Sequence, residues 1–282
     1  MRKLIMVLLI CLCLASCMDT PAPETTIATT APTAPTAPTA PTVPPTTEAP
    51  TEPTTEPTTE PTTPPTETEP ELENFYIPGL SVEDVILYFN EVCLDAEFVI
   101  DGSDPTRLQR WETPIYYYIN GDPTEEDLAV LQGFVEWLNT IEGFPGMYEA
   151  ETPLQARLDI HFTDAQSMRK IMGDNFVGMD GCVTFWYQND VIFRGTICYL
   201  STINQYTRNS VILEEIYNGL GPVQDTDLRP DSIIYSGYSE PQSLTQIDEL
   251  LLRLLYHPRL QCGMSAAECE SVIRELYREP NT

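Results

Sequence analysis

From about Thr20 to Glu73 the chain is written almost wholly in Thr, Pro, Ala and Glu, with Thr-Ala-Pro repeats from Thr30 to Pro41 and Thr-Glu-Pro-Thr repeats after them. Such a tract cannot bury enough apolar surface to offset its ordering entropy, and its prolines fix φ and remove backbone donors. Any packed fold is therefore confined to residues 74–282, long enough for one sizeable core. The tract itself reads as an extended spacer, and at about 3.1 Å per residue its reach is on the order of 150 Å. It is either a stalk that carries the domain outward or a solvated linker with no length requirement, and the stalk is the preferred reading.

What precedes the tract says where the chain goes. Arg2 and Lys3 lead into an apolar run from Leu4 to Leu14, too short to span a bilayer comfortably, so residues 1–16 read as an export signal. The run ends Leu14-Ala15-Ser16-Cys17, which resembles the bacterial lipobox. That resemblance implies a diacylated Cys17 at the mature N-terminus and a location on the extracytoplasmic face of the cell membrane. The domain organisation is then a signal peptide (1–16), a lipidated Cys17 with its Thr/Pro stalk (17–73), and one globular domain (74–282). With 14 Lys+Arg against 43 Asp+Glu the formal net charge is -29, which excludes nucleic acid as a partner.

In the globular part, Ser81 and Asp84 open a helix to about Leu94, and Pro114 to Ile119 is β-rich. Thr124-Glu-Glu-Asp127 is a capping box for a long helix through Leu138. A strand over Ala156–Phe162 precedes a short helix from Asp164 to about Met172. Residues 182–187 and 191–200 read as a hairpin around Gln188-Asn189-Asp190. The pattern predicts an α+β domain, a sheet covered by helices on one side. Cys182 and Cys198 are equidistant from Asp190, which makes a cross-strand disulfide between them one candidate among the fifteen two-bridge connectivities that five cysteines allow, a choice the sequence leaves open. Cys262 pairs with Cys269, or one of these meets Cys93. Alternation sends every second aromatic of Tyr116-Tyr117-Tyr118 and Phe185-Trp186-Tyr187 into the core, and core is preferred over a carbohydrate-stacking surface.

The segment expected to carry chemistry is Leu213-Glu-Glu-Ile-Tyr-Asn-Gly-Leu-Gly-Pro-Val-Gln-Asp225. Its spacing resembles the zinc helix of metzincin peptidases, His-Glu-x-x-His-x-x-Gly-x-x-His. On that pattern Glu214 stands at the first His, Glu215 at the general base, Asn218 at the second His, Gly221 at the Gly, and Gln224 or Asp225 at the third. Ser232-Ile-Ile-Tyr235 looks like the Met-turn with Ile234 in place of Met, and Ser243 to Asp248 followed by Leu252 to Tyr256 looks like the closing helix. The run from Glu214 to Met264, with Leu255-Tyr-His-Pro-Arg-Leu260, is more similar still to an uncharacterised bacterial family, domain of unknown function 2927. The resemblance implies a metzincin-like twisted sheet with an active-site-type helix and C-terminal helices. It also implies a cleft beside an edge strand, placed at Tyr199–Asn204, where an extended peptide could add.

The residues limit that inheritance. A three-His zinc site is excluded because the chain has two His in all. Glu214, Asn218 and Asp225 form an oxygen-only set that suits Ca²⁺ or Mg²⁺ if any metal binds, and no cofactor is the simpler expectation. The plainer alternative is that Glu214 and Glu215 sit well in a helix's first half while Asn218, Gly219 and Gly221 end it. The expected function is a membrane-anchored, non-catalytic binding or structural module whose partner is an extended peptide or a cell-wall component. The alternatives are a metal-dependent hydrolase using Glu215 as general base, and a display protein whose stalk is its function.

Overall fold

A computed structural model of the chain describes residues 74–94, 107–237 and 239–279. The signal, Cys17 and the Thr/Pro stalk lie outside the described residues. Helix α1 (Val82–Leu94) starts where Ser81 Oγ donates to Asp84 Oδ2 at 2.6 Å and accepts from Asp84 N at 3.2 Å. Strand β1 (Arg110–Trp111) is short, and β2 (Ile115–Gly121) alternates as written, with Ile115 and Tyr117 buried and Tyr116 exposed. The Thr124–Asp127 capping box opens α2 (Glu125–Leu138), which crosses over to β3 (Met147–Glu149). Then come β4 (Leu158–Thr163), α3 (Ala165–Met172) capped by Asp164, and a 3-10 turn at Asp174–Phe176. The hairpin strands β5 (Gly181–Gln188) and β6 (Val191–Leu200) lead into α4 (Gln205–Gly219), and α5 (Gln246–Tyr256) and α6 (Ala266–Leu276) finish the domain.

The strands form one mostly parallel six-stranded sheet in the order β1-β6-β4-β2-β3, with β5 antiparallel on β6. With six α-helices among the described residues, the domain is of mixed α and β class. Side chains alternate between the two faces of the sheet. Val183, Phe185, Ile197 and Tyr199 join Ile160, Ile212, Ile216 and Leu251 in the main core, on the face that carries α4. The opposite face is not bare along its whole length, contrary to the one-sided covering expected. Cys182 and Cys198 point there and join Met168, Phe176 and Met179 in a second, smaller apolar cluster beneath α3. Among the described residues, no helix is long and apolar enough to cross a membrane.

Two further expectations need correction. Cys182 and Cys198 do face each other in register, but all five cysteines of the described residues are free thiols. The Cys182 thiol is raised above its usual value by its hydrogen bond with Cys198 and by burial. Both residues pack as small apolar groups. The cysteines Cys93, Cys262 and Cys269 are likewise unbridged, with burial pushing the Cys262 thiol up to about 11. The second correction concerns the edge strand. Tyr199 lies on β6, paired on one side to β4 and on the other to β5, so it is fully interior and offers no free edge.

Candidate functional site

Helix α4 carries the Glu214–Glu215 segment, and its start is fixed by a buried ion pair. Arg208 Nε lies 2.8 Å from Asp127 Oδ1, with both side chains almost wholly buried. Asp127 also accepts from Thr124 N at 2.8 Å and Gln205 Nε2 at 2.6 Å. Burial would raise the Asp127 pKa, but the bonds from Arg208, Thr124 and Gln205 outweigh it and hold the carboxyl below its ordinary value. Arg208 donates as well to the carbonyls of Ser201 and Ile203, so one guanidinium ties the first turn of α2 to the loop that launches α4.

The far end of α4 is held by aromatic donors. Trp111 Nε1 donates to Gly219 O at 2.9 Å, and the Tyr256 hydroxyl donates to Leu220 O at 2.7 Å. These satisfy two of the carbonyls a helix leaves open at its C-terminus. The chain then turns at Gly221, whose φ of 136° and whose approach to Gln109 O, 2.6 Å from where a β-carbon would stand, require glycine.

Between these anchors the polar residues of α4 are interior. Glu214 is 1 % exposed, Glu215 4 % and Asn218 0 %, and after the turn Asp225 is 7 % exposed while Gln224 is partly exposed. Glu215 lies against β5: a β-carbon on Gly181 would be 3.0 Å from its Cγ and 3.1 Å from its Oε1. Its charge acts on the Tyr199 hydroxyl, whose pKa is pushed up by burial first and by Glu215 second. Ser210, Glu214 and Asn218 follow one another at four-residue spacing, so they form one stripe along the helix. Within that stripe the Ser210 hydroxyl and both amide atoms of Asn218 are buried without a hydrogen-bond partner among the described residues.

Ile234 is fully buried, and the loop around it is braced by Asp248. Asp248 Oδ1 accepts from Ser232 Oγ at 2.6 Å, and Oδ2 accepts from Ile233 N at 3.2 Å and from Thr245 N and Oγ1 at 2.8 Å each. Tyr88 of α1 and Ser232 share a hydrogen bond of 2.8 Å, and Tyr217 of α4 donates to Asp248 O at 3.0 Å. Burial raises the Asp248 carboxyl above its ordinary value in spite of these donors. Sequence reasoning did not reach this hub, although the Thr245 to Asp248 spacing is that of a capping box. Nor did it reach Arg110, which donates to Leu255 O at 2.5 Å and stands over the Tyr256 ring at 5.6 Å.

The residues do not fit a three-His zinc centre. His161 lies half-buried on β4, its pKa lowered by burial, and His257 caps the C-terminus of α5, so neither lies on α4. Among the described residues, no group of three or more His, Cys, Asp or Glu side chains is placed to hold a metal ion.

A family comparison matches residues 83–275 to a family described as Protein of unknown function (DUF2927). The chain belongs to that family. The matched span runs from the second residue of α1 to the next-to-last residue of α6, so the DUF2927 domain is the whole αβ unit described above. No curated protein matches the chain. The Leu255-Tyr-His-Pro-Arg-Leu260 segment has a structural account in this DUF2927 domain. Its Leu255 and His257 carbonyls receive Arg110, and its tyrosine caps α4.

Proposed function

We propose that the domain is a non-catalytic binding module on a metzincin-like scaffold, exported and held at the extracytoplasmic face of the membrane through Cys17 and the Thr/Pro stalk. The observation that carries this reading is the burial of Glu215 at 4 % exposure against β5, beside Glu214 and Asn218 at 1 % or less. A general base must reach both water and the bond to be cleaved, and a carboxylate packed between a helix and a sheet reaches neither. The order of parts supports the scaffold: a sheet whose last strand feeds the Glu214 helix, a glycine turn, a loop with Ile234 at its tight bend, then a closing helix.

A second reading rests on Asn218 and Ser210. A buried amide and hydroxyl with no partner among the described residues are groups that an ordered water would satisfy, and their oxygens are ones that an oxygen-preferring ion would take. On that reading Glu214, Asn218 and Asp225 hold Ca²⁺ or Mg²⁺ and Glu215 is the base of a hydrolase.

One experiment separates the two. The purified full chain is equilibrated with zinc, calcium and magnesium, washed, and measured by elemental mass spectrometry, while Glu215→Gln and the parent are compared in a peptidase and esterase screen. The module reading expects no stoichiometric ion and no turnover that depends on Glu215. One retained ion lost in Glu214→Ala and Asp225→Ala, with turnover abolished in Glu215→Gln, overturns it. Cys17→Ser should move the chain from the membrane to the soluble fraction, and retention there would remove the anchor.

A further inference from the structure

The geometry points to a glycan-binding cleft at the β2–β3 edge of the sheet, on the face away from α4, built around the rings of Tyr116 and Tyr148. This rests on the reading of the domain as an exported binding module and names its ligand class: a neutral oligosaccharide or polysaccharide chain.

The aromatic shelf is exposed and yet fixed. Tyr116 and Tyr148 are register partners on parallel neighbours, 43 % and 49 % exposed, with ring centroids 6.0 Å apart. Tyr148 is held from behind, because its ring lies over Gly146, where any side chain would overlap it. Gly146 takes φ of 90° and its carbonyl receives Ile115 N at 2.9 Å, so the bend beneath the ring is tied to β2. Two large rings held side by side in water are a costly feature for a surface that contacts nothing.

Tyr116 lines a cleft of about 660 Å³ together with the apolar Pro114, Ala150 and Leu154 and with polar groups that include Glu151, Gln155 and Arg157, and Tyr148 stands beside it, its ring 6.0 Å from that of Tyr116. That volume falls within the range of ligand clefts, about 300–1,000 Å³. Planar carboxylate, amide and guanidinium groups around an aromatic floor match the two surfaces of a sugar, which offers C–H bonds on its ring faces and hydroxyls on its rim. The platform continues across the same face. Next along β2 is Tyr118, opposite Asp159, which pairs with Arg194 at 3.1 Å, and Arg194 in turn is opposite Trp186 on β5. An extended chain of sugar units laid across the strands would meet each in turn.

Other occupants fit less well. Strand β3 has three residues, too short an edge for a peptide to add by backbone pairing. Two glutamates against one arginine in the cleft, on a chain of net charge -29, repel polyanionic glycans and leave neutral ones.

The test is calorimetric titration of the purified full chain, in mild detergent, with chitohexaose, cellohexaose, mannohexaose and xylohexaose, and with polygalacturonate as the anionic control. The expected result is saturable binding of at least one neutral oligosaccharide and none of polygalacturonate. Tyr148→Ala and Tyr116→Ala should each weaken that binding about tenfold, the scale of one aromatic stacking contact, while Tyr148→Phe, which keeps the ring, stays near the parent. Glu151→Gln, a change at the rim that leaves the shelf intact, should weaken it too. No binding of any of the four neutral sugars, binding that survives Tyr148→Ala, or preference for polygalacturonate overturns the proposal. The outcome is separable from the Glu215 assay: a silent cleft with Glu215 inert refutes the glycan alone, whereas Glu215-dependent turnover refutes the module.

Discussion

Asp248→Ala should destabilise the domain by about 2–4 kcal/mol, and the size follows from what its carboxylate holds. Oδ2 receives the buried Ile233 N–H together with both donors of Thr245, and Oδ1 receives Ser232 Oγ. Removing it leaves the Ile233 N–H buried with no acceptor, a loss of about 1–3 kcal/mol, and removes the reciprocal half of the α5 capping box, worth about 1 kcal/mol. Ser232 adds little, since its hydroxyl can turn to Tyr88. Asp248→Asn keeps one acceptor for Ile233 and Thr245 and can donate its amide N–H to the Ser232 oxygen, so it should cost less than about 1 kcal/mol. The assay is urea unfolding of the full chain followed by tryptophan fluorescence, read as a change in midpoint at constant slope. A loss under about 1 kcal/mol for Asp248→Ala would show that the loop carrying Ile234 is not braced from α5, and would refute the reasoning.

The same residue carries a pH signature. Its folded-state pKa is raised by burial, so its contribution is fully present below the unfolded value of about 3.9 and is lost as pH rises through the folded value. The parent should therefore gain on Asp248→Asn as pH falls, and the gap should be smallest at neutral pH.

Two other substitutions test the anchors of α4. Arg208→Ala leaves the Asp127 carboxylate buried without its cation and should cost about 3–5 kcal/mol in the same assay. Because the Asp127 pKa is lowered, the pair stabilises above the unfolded value of about 3.9 and is lost as pH falls through the folded value, so the parent should decline more steeply in acid than Arg208→Ala. Gly221→Ala forces a side chain into φ of 136° against Gln109 O and should cost about 1–3 kcal/mol, seen as a lower urea midpoint. A wild-type midpoint would mean that the turn after α4 can relax.

How far the sequence could be read depended on the range of the interactions involved. Caps at Asp164 and over Thr124–Asp127 are settled within four residues, and both helices begin where those residues place them. The hairpin shows the limit. Its register puts Cys182 opposite Cys198, as a centre at Asp190 requires, but the turn is the two-residue Asn189-Asp190 with both φ positive. The missing residue is supplied by a bulge at Phe193, which has no partner on β5 and is 45 % exposed. A slip of one residue would have turned Cys182 to the other face, and no local pattern marks the bulge. The edge strand was misplaced for a related reason: strand order is set by which apolar faces meet across the chain. Glu214, Glu215 and Asn218 in turn become interior only because α2, β5 and β6 pack against α4, which no local pattern announces.

The segments that carry the family resemblance converge on one task. Thr245 and Asp248 brace the loop after α4, Tyr256 and Trp111 cap its last carbonyls, and Arg110 clamps the end of α5 beside them. Donors hold α4 at both ends, Arg208 at its start and Trp111 and Tyr256 at its last carbonyls. The face that α4 covers is full, with Ile160, Ile197 and Tyr199 all wholly buried. The opposite face is covered by α3 only at the end where Cys182 and Cys198 lie, and towards the other edge it presents Tyr116 and Tyr148. On the proposed reading a partner is met at these exposed rings and not at Glu215, which is 4 % exposed.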